Sequence, residues 1–135
     1  MSGLSKRYYS IGLGGIAAAS IAGLPAGAHH SVALQFDMSQ EIAIEGTVVA
    51  MEWRNPHAWL QVEVESDAGE KTVWQVEFGS ANALYRRGWR RDDLPIGIQV
   101  SVHGLPARDG SNTIGAEDVT LPDGRRLFAG SRQRD

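Results

Sequence analysis

In successive segments between Glu41 and Leu121, apolar residues recur at every second position. A period of two sends alternate side chains to opposite faces of an extended chain, so it demands strands with one buried face. Ile42 and Ile44 begin the first strand, followed by Val49, Met51 and Trp53. The parity changes near Gly46, which predicts a bend or bulge there. Asn55-Pro56 then breaks the run. Ala58, Leu60, Val62 and Val64 alternate with Trp59, Gln61, Glu63 and Glu65, and Asp67-Ala68-Gly69-Glu70 supplies a turn. Thr72, Trp74, Val76 and Phe78 form the apolar face of the third strand, with Val73, Gln75 and Glu77 opposite, where both glutamate-bearing faces read as solvated. Later strands run through Ile98, Val100 and Val102 and from Ile114 to Leu121, before Pro122-Asp123-Gly124 turns the chain to Leu127 and Phe128.

One segment departs from this rhythm. Ser80 is suited to cap a short helix from Ala81 to Arg87, and Gly88 to end it, with Ala81, Leu84 and Tyr85 on the inner face. Three strands, a helix, two strands and a short return are the element order of an OB-fold, a five-stranded Greek-key barrel. The expectation is therefore a mainly β fold: a small OB-like antiparallel barrel over residues 41–130, with one short helix between strands three and four. An all-antiparallel barrel or sandwich with an incidental helix is the rival arrangement.

The ends of the chain read differently. Lys6 and Arg7 precede an apolar run from Ile11 to Leu24, and Pro25-Ala26-Gly27-Ala28 offers the small residues that a signal peptidase accepts. Residues 1–28 thus read as a secretory signal peptide, cleaved after Ala28, and the apolar run is shorter than the about 20 residues of a membrane span. The mature chain is expected in the periplasm with no membrane span. Residues 29–40 form an N-terminal arm, in which Val32, Leu34 and Phe36 alternate as a short edge strand would, and 131–135 form a tail. The chain has no cysteine, which excludes disulfides, thiol nucleophiles and Cys-ligated metals. Its formal charge of −3 becomes more negative once Lys6 and Arg7 leave, which argues against a nucleic-acid partner.

Several strings are more specific than the alternation. Ala28-His29-His30-Ser31, Glu52-Trp53-Arg54-Asn55-Pro56-His57-Ala58-Trp59 and Gly79-Ser80-Ala81-Asn82-Ala83-Leu84 are followed by Arg86-Arg87-Gly88-Trp89, Asp109-Gly110-Ser111-Asn112 and Leu121-Pro122-Asp123-Gly124-Arg125. In this order they resemble a family of small exported proteobacterial proteins, domain of unknown function 6152. The resemblance implies an exported protein with a small β-rich domain and transfers no catalytic residue.

Histidine carries the sharpest chemical reading. Cleavage after Ala28 makes His29 the amino terminus, so its amine and ring Nδ1 can chelate one copper ion. A remote imidazole would complete a three-nitrogen histidine brace, and imidazole suits copper. His57, behind the Asn55-Pro56 corner, is the candidate for that position; His30 is an auxiliary ligand and His103, at outward strand parity, a second choice. The alternative is that His29 and His30 merely start a solvated arm and that His57 bonds backbone. Glu52 lies near His57 in sequence and is a possible proton-transfer partner.

A second group is aromatic and basic. Trp53, Trp59, Trp74 and Trp89 lie among Arg54, Arg86, Arg87, Arg90 and Arg91. Trp53 and Trp74 have inward parity and read as core. Trp59, Trp89, Arg86 and Arg87 remain as candidate ligand-binding residues for a polypeptide, a glycan or a small anionic molecule. No catalytic residue emerges: Ser31, Ser80 and Ser111 lie in no nucleophile-elbow context, and Gly12 to Gly15 falls in the leader. The first expectation is a non-enzymatic periplasmic binding or accessory module with copper as cofactor. A metal-free module with an unidentified protein or small-molecule partner is second, and a histidine-brace copper oxidase third.

Overall fold

The computed structural model describes residues 28–130, with side chains from Val32 onward. The leader and its cleavage bond, the side chains of His29 and His30, and the tail 131–135 lie outside the described residues. Strands β1 (Ile42–Glu52), β2 (Trp59–Glu65) and β3 (Lys71–Glu77) form an antiparallel meander. Helix α2 (Ala81–Arg86) and a 3-10 turn (Arg91–Asp93) lead to β4 (Gln99–Pro106), β5 (Thr113–Thr120) and β6 (Arg126–Phe128). An N-terminal helix α1 (Ala28–Gln35) precedes them.

Closure comes from two unusual partnerships. The first half of β1 pairs with β4 and the second half with β2, so one long strand serves two neighbours. Parallel pairing of β3 with β5, at Gln75–Glu77 against Thr113–Gly115, then joins the remaining edges. The barrel order is therefore β1-β2-β3-β5-β4 and back to β1, with β6 appended to β5. The fold is mainly β, an OB-like barrel with the capping helix between β3 and β4, as the alternation predicts.

The interior is filled by the expected faces except at Val49, expected inward: Val48 is buried in its place, because the parity holds through Val48 before it changes. Val48, Leu60, Val62, Val76, Val100, Val102 and Ile114 are buried, and Trp53, Trp74 and Leu127 pack against them partly exposed. The parity change in β1 comes slightly later than Gly46, at a register shift between Val48 and Ala50. Gly46 has a different role: a Cβ there would strike the Glu63 carbonyl of β2. A second register shift in β4 and β5, beside His103, separates buried Ala116 from buried Asp118 and Val119. Such a bulge re-aims the side chains next to it.

α2 begins as anticipated, since the Ser80 hydroxyl accepts from Ala83 N at 3.1 Å and Gly88 takes a positive φ of 97°. Its inner face contains Ala81 and Leu84 but not Tyr85, which is exposed beneath the Arg90 guanidinium, 4.2 Å from the ring centroid. The arm is also corrected. Ala28–Gln35 is helical, Leu34 is exposed, and only Phe36 pairs as a strand residue, in a single bridge to Ala107. Three alternating apolar residues are compatible with either period, and the closed barrel leaves this segment no long edge to extend. Phe36 is buried because its ring lies over Gly115, where a Cβ would come within 3.2 Å of it.

Candidate functional site

The cross-strand register sets the site. Trp59 in β2 lies opposite Glu77 in β3, and Glu77 opposite Gly115 in β5, giving a row across the outer face of the barrel. Phe36 covers the Gly115 end of this row. His57 stands at the other end, in the loop between β1 and β2. That loop contains a cis Asn55-Pro56 bond and is held by the start of α2 and by the segment that follows β3. Arg54 O accepts from Ala81 N at 3.0 Å, Asn55 Oδ1 from Asn82 N at 3.2 Å, and Ala58 exchanges backbone bonds with Phe78 and Gly79.

His57 Nδ1 lies 2.8 Å from Glu77 Oε1 and 3.2 Å from the Phe78 carbonyl oxygen. Both neighbours are acceptors, so Nδ1 carries a proton and donates. In the neutral ring the lone pair is then on Nε2, on a side chain that is 49% exposed. The other Glu77 oxygen accepts from Gln35 Nε2 at 2.7 Å. Glu77 is thus a buried connector between α1 and His57, where the strand pattern placed it on a solvated face. A carboxylate that fixes one imidazole nitrogen and leaves the other open is the usual support of a metal-binding histidine. Glu52, the partner suggested by sequence proximity, pairs instead with Arg54 at 3.2 Å.

His103 has different surroundings. Its Nε2 is 3.5 Å from Glu41, and its Nδ1 is 3.5 Å from Asp118 and 3.8 Å from Glu117. Arg126 contacts the same Asp118 oxygen at 2.6 Å. These groups, with Arg87 and Phe128, line a cavity of about 510 Å³. Among the described residues, no three His, Asp or Glu side chains are placed to hold a metal ion together. A metal at His57 therefore needs ligands beyond those described.

With the barrel and its His57 corner in view, the protein can be assigned. The chain belongs to the Family of unknown function (DUF6152), which matches residues 17–116. No curated protein matches this DUF6152 chain. The dimeric N-terminal domain of PriB protein from Thermoanaerobacter tencongensis is similar at 18% identity, over 62% of this chain and 96% of that one, with a TM-score of 0.44.

The aromatic and basic candidates of the DUF6152 chain do not form one patch. Trp59 is half-buried and lines a cavity of about 570 Å³ with Gln35, Gln75 and Arg108. Trp89, expected at a ligand surface, is instead 1% exposed; its ring packs 5.3 Å from Phe78 and its Nε1 donates to Phe128 O at 3.0 Å. Arg87 lines the His103 cavity and donates to the carbonyls of Ala129 and Gly130, which fastens the segment just after β6. Arg86 is exposed. Sequence reasoning missed Glu77, Gln35 and Arg108. Only Glu77 left a signal, as the last residue of a strand whose register places it beside Trp59.

Proposed function

We propose that this is an exported, periplasmic binding or accessory protein that holds copper at the His57 corner. Cleavage after Ala28 frees the His29 amine, which supplies the ion with two nitrogens together with its imidazole. His57 Nε2 supplies the third, and His30 is auxiliary. The observation that carries this reading is the Glu77 contact, which engages His57 Nδ1 as the donor on a side chain that is 49% exposed and leaves Nε2 without a hydrogen bond among the described residues. α1 supports it further, because Gln35 ties the helix that begins with Ala28-His29-His30 to the same carboxylate.

Gln35 lies six positions beyond His29, about 9 Å of helical rise. Closing the three-nitrogen set therefore requires the first turn of α1 to be re-laid toward the loop holding His57. An eight-residue helix without an acidic residue in its first turn resists this little, since helices under about 12 residues are marginal alone.

The test begins with the mass of the protein recovered from the periplasm, which should correspond to a chain starting at His29. Competition titration should then give tighter Cu(II) binding for that chain than for one with a single extra alanine in front of His29. Equal affinities for the two would contradict the reading, as would a mature chain that starts elsewhere.

A further inference from the structure

We propose that the cleft between α1, the β2–β3 face and the loop after β4 is a saccharide-binding site, separate from the His57 imidazole. Its floor is set by strand register. Gln61, Gln75 and Thr113 form one row across β2, β3 and β5, adjoining the row that begins with Trp59. Its wall is the loop Ala107–Asn112, pinned to α1 by several bonds. Arg108 N donates to Gln35 O at 2.9 Å, and Arg108 Nε donates to Ala33 O at 2.8 Å and Phe36 O at 3.0 Å. Within the loop, Asp109 Oδ1 accepts from Ser111 N, and Gly110 takes a φ of 75°. The resulting cavity of about 570 Å³ is preformed and of the size that small ligands occupy.

The lining selects the ligand class. The Trp59 indole lines the cavity with an amide (Gln75), a guanidinium (Arg108) and two hydroxyls, Ser111 donating to Thr113 at 3.0 Å. Among the described residues, the Gln75 amide and the terminal nitrogens of Arg108 make no hydrogen bond within the protein. A pyranose ring matches this set: its C–H face lies on the indole while its hydroxyl rim meets amide, hydroxyl and guanidinium. Nucleic acid is disfavoured by the formal charge of −3 and by Asp109 at the rim. A peptide added as a strand would need an open edge. β2 is paired on both sides, and β3 is paired with β5 at the positions next to the cleft. The fold itself commonly binds oligosaccharides or oligonucleotides on this face.

The experiment is a titration followed by amide and indole NMR, using mature protein in metal-free buffer, so that its outcome is independent of copper. The probes are hexamers of β-1,4-linked N-acetylglucosamine, β-1,4-linked glucose and α-1,4-linked galacturonate, with decathymidylate and an alanine-rich decapeptide as controls. At least one hexasaccharide should shift the Trp59 indole, the Gln75 side-chain amide and the Arg108 loop. Preference for galacturonate that is lost in Arg108→Gln would identify an acidic sugar; equal response to a neutral hexamer would identify a neutral one. Trp59→Ala should weaken binding about tenfold, the order of losing one aromatic stacking partner. Gln75→Leu should weaken it too, without depending on the indole, and Arg86→Ala should leave it unchanged. The proposal is overturned if no hexasaccharide shifts these resonances, if the shifts map to the His103 cavity, or if only decathymidylate or the peptide binds.

Discussion

His57 and His103 both lie outside the barrel beside carboxylates from neighbouring elements, yet their surroundings prepare them for opposite tasks. His57 has one carboxylate, Glu77, on one nitrogen, and its side chain is 49% exposed. His103 has Glu41 on one side of the ring and Asp118 and Glu117 on the other, and its side chain is 33% exposed. A ligand site needs an imidazole that is oriented at one nitrogen and open at the other. His103 Nδ1 is buried and makes no hydrogen bond among the described residues, with Asp118 and Glu117 at 3.5 and 3.8 Å, so it is neither oriented by a bond nor open to an incoming ion, and Nε2 faces Glu41 at 3.5 Å. Proximity to acids is therefore a poor guide to metal binding; the count of nitrogens left open is a better one.

The largest way to break this contrast is to remove each ring. His57→Ala should weaken Cu(II) binding by about a hundredfold, whereas His103→Ala should change it by less than about threefold. Similar losses in the two titrations would erase the distinction. Next in size is the buried carboxylate beside His103. Asp118 is buried beside Arg126 and His103, so Asp118→Ala should lower the midpoint of urea unfolding. Copper affinity in that variant should remain near wild type.

A finer contrast concerns the carboxylate that orients His57. Glu77→Gln keeps the shape and an acceptor oxygen but removes the charge behind the imidazole. Copper affinity should fall about tenfold, with unfolding nearly unchanged. A larger loss of stability than of affinity would make Glu77 a packing residue only. The smallest effect lies at the turn after α1. Hydrogen bonds from the Ser39 hydroxyl and backbone N–H hold the Asp37 carboxyl below its ordinary 3.8. A depressed folded value means that this contribution is present above the unfolded pKa and is lost as pH falls through the folded one. Ser39→Ala should move the Asp37 titration, followed by carbonyl NMR, back toward 3.8.

Much of the barrel was legible because each strand keeps one face dry over several residues. Leu60, Val62, Val76, Val100 and Val102 are inside as the alternation requires. Parity fails where no strand continues. Trp89 follows the helix-ending Gly88, where neither period applies, and its burial is decided by Phe78 and Phe128 from distant parts of the chain. Glu77 looked solvated because outward parity in a half-buried strand normally meets water. Here α1 covers it, and α1 itself reads as a strand when only Val32, Leu34 and Phe36 are considered. His57 was legible from the rigid corner before it. Its open nitrogen was not, because the partner that orients it is 20 residues away and the helix that fixes that partner comes from the arm.

The central claim is that His29 and His57 hold the same copper ion. A double-mutant cycle tests it most directly, with Cu(II) affinity measured for the His29-start chain, the chain with one extra alanine, His57→Ala, and the two changes combined. Shared ligation predicts strong coupling: once either change has been made, the other should cost far less than it does alone. Independent, additive losses, or no effect of either change, would contradict it.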